Sequence, residues 1–531
     1  MKYEYNNLLN RSRVRPSSVK RQRNIDDFYS DRSRILYCSS FRRLQQKAQV
    51  FSMETNSSVR SRLTHSLEVS DLGRTLANDI GYKLKADRDS RLSSTNIPAL
   101  VAVVENACLL HDIGNPPFGH FCESAIQDWA QLRAMDLSPE DWTEVKDGVR
   151  QWLPRIGMLM KDFEEFDGNP QGFRTVTKLY SDFGPNGLDL TYATLLCGLK
   201  YARTTGEPKK RGDKKPGILK KAGWFRTEHA LVEEIHKEVK RPLGTRYPLT
   251  YIMEAADDIS YCMSDIADGI EKRILTEEDF VRVFAQEWDK KWNPERVAAL
   301  EALKKEDKEK REQTKKGLTK EAYKKRLTAL PPRNHELPEE INKYLDNPED
   351  MVSFNHDFAV PWSTKATEAA LNAFEADEEA IWRGDAEPLM DRDCEMHKVL
   401  KTITEVCCKL LYPSIEAESI ELTGYAVITG ILRHYERLMK LPMERFEDVM
   451  GGNRMDYPVE SRLYNRIGGR CVDAYNEAMK DVKSRGLSDQ QLRQEEWWLR
   501  VHLLIDHISS MTDAFALETY QMLEGIALMR T

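Results

Sequence analysis

Residues 98–110, PALVAVVENACLL, constrain the fold more than any other stretch, because they are apolar nearly all round. A helix without a polar stripe cannot lie on a surface, so other helices must enclose it. It runs directly into HDIGNPPFGH (111–120), which sets His111, Asp112 and His120 among two prolines and two glycines. Proline lacks an N–H and disfavours a helical residue before it, so the helix stops there. An aspartate left at the end of so apolar a helix carries a heavy desolvation cost. Either a metal ion or a buried cationic partner relieves it.

The rest of the chain predicts an all-α fold. Residues 66–80 place Val69, Leu72, Leu76 and Ile80 on one helical stripe. Segments 228–240, 248–271, 366–383, 393–411, 421–440, 460–483 and 495–525 also read as helices, with no series of alternating strands and no internal repeat. With 531 residues the chain can bury a large core and form more than one lobe. No apolar run approaches the ~20 residues of a membrane span. The basic N-terminus lacks the apolar core of a signal peptide. Nine cysteines without a CxxC pair argue against a disulfide framework or structural zinc and favour the cytoplasm.

A net charge of −7 excludes a protein that binds polyanions over its whole surface. Positive charge is local, in RSRVRPSSVKRQR near the start and PKKRGDKKPGILKK at 208–221. Each reads either as a solvated loop or as a phosphate or nucleic-acid contact. Four segments follow: a basic one over 1–24, a core over 25–302 with a basic loop near 205–221, a charged connection over 303–350, and a C-terminal helical lobe over 351–531.

His65, in RLTHSLEVSDLG, shares the helical phase of Val69, Leu72 and Leu76 and so faces inward. His111 and Asp112 are successive residues, about 100° apart, and both can reach one ion at a helix end. In 251–265, YIMEAADDISYCMSD, Glu254, Asp257, Tyr261 and Asp265 share a face that continues to Asp268 with no Lys or Arg before Lys272. Histidine, His-Asp and a distant aspartate make an N/O donor set suited to a divalent ion.

These segments, with FRRLQQKAQVF (41–51), SRLTHSLEV (61–69), LLHDIGNPPFGHFCE (109–123) and DHISSMTDAFAL (506–517), resemble the HD-domain phosphohydrolases, and within them the deoxyguanosine triphosphate triphosphohydrolases of enterobacterial type. The resemblance implies an HD-domain helical core with an additional C-terminal lobe that closes the pocket and builds oligomer contacts. It implies His65, His111, Asp112 and Asp257 as ligands of Mg²⁺, Mn²⁺ or Co²⁺, with Asp258 in a supporting role, and His120 and Glu123 as the catalytic pair. For substrate it implies phosphate contacts from Arg62, Lys200 and Lys221, and sugar contacts from Gln49, Tyr261 and Asp265. Val50 would crowd a 2′-hydroxyl. Asn115 stands where some relatives carry another histidine.

The activity so implied is hydrolysis of dGTP at the α-phosphate to deoxyguanosine and triphosphate. The implied partners are further copies of the chain, as a hexamer, and single-stranded DNA as effector. Two rival readings are a broader dNTP phosphohydrolase and a nucleic-acid-binding regulator whose HD site senses nucleotide. Arg462, Arg466 and Arg470 fit an ordinary exposed helix face, with contact to a base or phosphate as the alternative.

Overall fold

The apolar stretch forms the helix around which its neighbours assemble. The computed structural model describes residues 3–19, 21–86, 91–138, 140–144, 150–179, 186–210, 217–314 and 316–527. The middle of the basic stretch, 211–216, lies outside them. Helices α1 (Ile25–Tyr37) and α2 (Arg62–Ala86) pack against α3 (Ile97–Leu110). Every residue of α3 except Pro98 and Val101 is buried, as the absence of a polar stripe requires. Each of its two polar residues has a partner within the protein, and the Asn106 Oδ1 alone is left without one among the described residues. Asn106 donates to the Phe28 carbonyl at 2.9 Å, and Arg32 reaches Glu105 at 3.3 Å.

The motif turn at 111–119 leads into α4 (His120–Leu132), and α5 (Gly168–Thr177) crosses behind it. Further along, α6 (Thr250–Glu271) carries the acidic residues. Toward the C-terminus come α7 (Gly469–Ser484), α8 (Asp489–Ser509) and α9 (Asp513–Leu523). The fold is all-α. Among the described residues the one sheet is an antiparallel pair, Trp142–Glu144 with Arg150–Trp152. No helix of the described residues is long and apolar enough to cross a membrane.

Two of the long helical segments are each split. The 460–483 stretch breaks before Gly468, which begins α7. The 495–525 stretch breaks at Ser510–Thr512, where the Thr512 hydroxyl accepts from the Phe515 N–H at 3.3 Å and starts α9. Helical periodicity runs through both breaks; a side-chain cap marks the second, whereas α7 starts after Gly468 without one.

Contacts divide the chain into two units, and the division does not follow one boundary in the sequence. The first comprises residues 1–260, 370–389 and 416–531. Its core joins Phe118, Ile126, Trp129, Phe163 and Phe166 to Ile428, Tyr435, Trp497 and Leu504. Residues 494–509 of α8 are buried without interruption. The second unit comprises residues 261–369 and 390–415. An aromatic cluster centred on Phe280, Phe284, Phe358 and Trp362 fills it. Part of the 303–350 stretch is helical here: Lys320–Thr328 buries no side chain, whereas Ile341 and Tyr344 in Glu339–Asp346 are buried.

Candidate active site

The site lies in the first unit, where the start of α2, the end of α3 and the first half of α6 meet. The first turn of α2 carries Arg62 and His65, the residues just after α3 are His111 and Asp112, and α6 brings Asp257. His65 and His111 face each other edge to face with ring centroids 5.3 Å apart. The Nε2 atoms of His65 and His111 lie 3.6 and 3.5 Å from Asp257 Oδ1, and His111 Nε2 is also 3.5 Å from Asp112 Oδ2.

One tautomer of His111 follows from its neighbour. Its Nδ1 sits 2.7 Å from the Cys108 carbonyl, which only accepts, so Nδ1 carries the proton and Nε2 the lone pair. That Nε2 is buried and has no hydrogen-bond partner among the described residues. The donor atoms of His65, His111 and Asp257 all lie within 4.8 Å of one another. Ligand bonds of roughly 2 Å to a shared ion require convergence of this kind.

The carboxylates are held ionised. Burial pushes the Asp112 carboxyl up, but the Arg62 guanidinium at 2.9 Å, with His111 and His65, pulls it down to about 2. Asp112 also accepts from the Asn115 side chain. Of the two ways to relieve a buried aspartate, a cationic partner is therefore present in Arg62. Asp257 is likewise raised by burial and lowered further by Lys200, whose Nζ is 3.0 Å away, and by the two histidines, leaving it well below the usual range. Asp258 lies 3.8 Å from the same ammonium. Glu254 is ion-paired with buried Arg246 and does not join the cluster.

Beside the cluster, α4 opens with His120, whose side chain is 79% exposed, while Glu123 one turn on is buried. His120 Nδ1 and Glu123 Oε2 are 2.6 Å apart, and the other Glu123 oxygen accepts the Gly168 N–H at 2.8 Å. The hydrogen bond and charge of Glu123 hold the imidazole above the ordinary histidine range against partial desolvation. Burial raises the Glu123 carboxyl most, but the bond and charge of His120, the Lys221 charge and the Gly168 N–H together lower it, so the pair is held as an ion pair. Lys221 binds Asp167 at 2.5 Å, and its charge, with that of Arg62, acts on His120.

The turn between the two halves is fixed by backbone contact. A Cβ on Gly114 would fall 2.0 Å from the Gly172 nitrogen and 2.2 Å from the Gly168 oxygen, so only glycine lets the turn lie against α5. Phe118 and Gly119 take positive φ values of 57° and 58° and swing the chain back toward His120.

The residues that the resemblance assigns to the sugar fall in both units. Gln49 follows Ala48, which bridges to Ser61 at the start of α2, and its buried Oε1 has no partner among the described residues. The neighbouring Val50 is half-buried. Tyr261 and Asp265 belong to the second unit, where the Tyr412 hydroxyl bonds Tyr261 and donates to Asp265 at 2.8 Å. Two residues without an assigned role in the sequence reading shape the site. Asp513 accepts the N–H groups of Phe118 and Ala48, both at 3.0 Å, and the Ser52 hydroxyl at 2.6 Å. Lys47 donates to the Asn115 carbonyl at 2.6 Å. Asp513 sits in the quoted DHISSMTDAFAL motif, yet no local signal ties it to segments hundreds of residues away.

The HD domain family matches residues 62–147. Among similar proteins is one named deoxyguanosinetriphosphate triphosphohydrolase from Serratia proteamaculans (strain 568), 33% identical over 516 residues and covering 94% of each chain. Proteins of the same name from Yersinia enterocolitica and Enterobacter sp. (strain 638) are 32% and 33% identical, covering 96% and 94% of each chain.

Proposed function

This chain belongs to the deoxyguanosinetriphosphate triphosphohydrolase family, and from that membership we propose that it hydrolyses dGTP at the α-phosphate, releasing deoxyguanosine and triphosphate. The observation that carries the reading is the convergence of His65, His111 and Asp257 donors beside an exposed His120 bonded to a buried Glu123. Such a donor set suits a divalent cation, with a proton-transfer group beside it.

His65, His111, Asp112 and Asp257 would hold Mg²⁺, Mn²⁺ or Co²⁺, hard or borderline ions suited to imidazole and carboxylate donors. The unpartnered His111 Nε2 fits that role. A bound divalent ion supplies Lewis-acid charge to the phosphoryl oxygens and acidifies water toward neutral pH. Arg62, whose buried Nε has no partner among the described residues, and Lys200 and Lys221 bind the triphosphate oxygens by charge-assisted hydrogen bonds. Gln49 Oε1 is an acceptor for a sugar hydroxyl, with Val50, Tyr261 and Asp265 as further sugar-side residues.

Water's oxygen joins the α-phosphorus and releases one proton to solvent as the bond to the 5′-oxygen breaks, and the 5′-oxygen must gain a proton. Glu123 holds the His120 Nδ1 proton and stabilises the imidazolium, so His120 delivers a proton from Nε2. Assembly of several copies, response to single-stranded DNA and residence in the cytoplasm complete the proposal.

Ion chromatography of products from dGTP, the other dNTPs and GTP, each with Mg²⁺, Mn²⁺ or Co²⁺, tests it. Triphosphate and deoxyguanosine in equal amounts are expected. Orthophosphate without triphosphate, or nucleotide binding without turnover, overturns the reading.

A further inference from the structure

Asp167 takes no part in the reaction above, yet it grips one of the phosphate-side lysines. Lys221 Nζ lies 2.5 Å from Asp167 Oδ2. The other Asp167 oxygen caps α5, accepting the Asn169 N–H at 2.9 Å and the Asn169 side-chain N–H at 2.6 Å. The next residue, Gly168, donates its N–H to Glu123 at 2.8 Å. One helix start therefore fixes both the carboxylate that holds Lys221 and the carboxylate that holds His120. We propose that Asp167 is a positioning residue that keeps the Lys221 ammonium off Glu123 and so leaves Glu123 committed to His120, a role that rests on reading His120 as the proton donor and Lys221 as a triphosphate contact.

The need for such a holder follows from the charges around Lys221. Two carboxylates act on its ammonium, Asp167 more strongly and Glu123 less, with the Tyr201 hydroxyl as a further neighbour. Glu123 in turn feels the Lys221 charge as well as that of His120. An ammonium is a compact charge on a flexible four-carbon stem. Without the Asp167 charge, Glu123 is the carboxylate left to draw it. Glu123 Oε1 already accepts the Gly168 N–H, so a lysine arriving there competes with His120 Nδ1 for Oε2. The imidazole then loses the bond and the charge that hold it above the ordinary histidine range, and a nearer ammonium repels its proton. A donor so weakened has no proton to give the leaving oxygen.

Asp167 suits the task because it is buried and its cap bonds fix the carboxylate, while the helix start favours its negative charge. Holding Lys221 this way does not withdraw it from substrate. An ammonium has three N–H donors, and one on Asp167 leaves two for phosphate oxygens. Charged groups face His120 from each neighbouring element: Glu123 on α4 itself, Lys221, Arg62 on α2, and Glu421 on the helix Ile415–Met439. Of these, Lys221 is the one that Asp167 restrains.

Asp167→Asn removes the charge and keeps the cap, because asparagine and aspartate cap helices about equally well; Asp167→Ser, which also caps, is the second variant. The His120 ring is exposed, so its modification by diethylpyrocarbonate across pH, read by peptide mass spectrometry on the full chain, reports its pKa without turnover. In both Asp167 variants the His120 pKa should fall by about one pH unit. In a Lys221→Met chain the same Asp167 substitutions should leave it in place, since no ammonium remains to reach Glu123. An unchanged His120 pKa in both variants overturns the proposal. So does an equal fall with and without Lys221, which would be the direct field of Asp167 and not an effect through the lysine. Failure of the dGTP reading shows separately, as missing triphosphate in the product assay.

Discussion

Substituting Gly114→Ala tests the link between the motif's backbone and its chemistry. The new methyl would sit 2.0 Å from the Gly172 nitrogen, 2.2 Å from the Gly168 oxygen and 2.4 Å from the Gly172 Cα. Attractive carbon contacts begin at roughly 3.5 Å, so the turn and α5 must part by more than about 1 Å. All three neighbours are backbone atoms, and no rotamer change can yield space. Overpacking typically costs about 1–3 kcal/mol, and a clash confined to backbone belongs at the upper end or beyond. Asp112 and Asn115 ride on the displaced turn, and a 1 Å misplacement near reacting groups costs about 100-fold in rate. The reverse substitution is the control. A Cβ on Gly172 would lie 3.4 Å from the Gly114 nitrogen and 3.6 Å from its Cα, which is ordinary contact. Gly172→Ala should cost under about 1 kcal/mol, helped by alanine's higher helix propensity. Urea unfolding midpoints and kcat for dGTP would be measured for both. Equal damage from the two substitutions, or a Gly114→Ala chain with unchanged midpoint and kcat, would refute the backbone-contact reasoning.

Replacing His120→Gln should leave bound divalent metal stoichiometric while lowering kcat by about 10²–10⁴, the usual contribution of a proton-transfer group; metal analysis beside turnover checks both halves, and normal turnover rejects the assignment. Asp513→Asn removes a charged acceptor shared by three donors and should destabilise the chain by roughly 2–4 kcal/mol, read from the urea midpoint. An unchanged midpoint would show that the clamp carries no stability. Lys47 is depressed by burial to about 7, against an ordinary lysine value near 10.4, so between those pH values the unfolded chain binds more protons than the folded one. Stability from this group is therefore present above the unfolded value and lost as pH falls through 7, with a slope of at most about 1.4 kcal/mol per pH unit. Unfolding curves from pH 7 to pH 10 should show that rise in the unsubstituted chain relative to Lys47→Met, and parallel curves would contradict it.

What the sequence discloses and what it hides divide along a physical line. The apolar helix 98–110 and the inward phase of His65 are legible because helical period and burial are local properties, and α3 and α2 bear them out. His65, His111 and Asp112 are legible because they lie at helix ends that their own flanking residues define, and Asp257 because it lies on an acidic helix face free of Lys and Arg. The polar interior of α8 is not. QEEWWLRVHLLIDHIS places Glu496, Arg500, His502 and Asp506 where a surface helix would carry them, yet all four are buried. Asp506 and His502 find partners in distant segments, Arg174 at 2.7 Å and Asp162 at 3.0 Å, whereas Glu496 pairs with Arg500 one turn on and accepts the Tyr475 hydroxyl at 2.7 Å. Burial of a charge is affordable only with such a partner, and for Asp506 and His502 separations of over three hundred residues leave no periodic trace. Asp513 follows the same rule at the site itself. One carboxylate reaches Ala48 and Phe118, so the loop bearing Gln49 and the turn bearing His120 are referenced to a single C-terminal side chain. A chain cut before α9 should therefore lose the alignment of both segments even with every HD residue present.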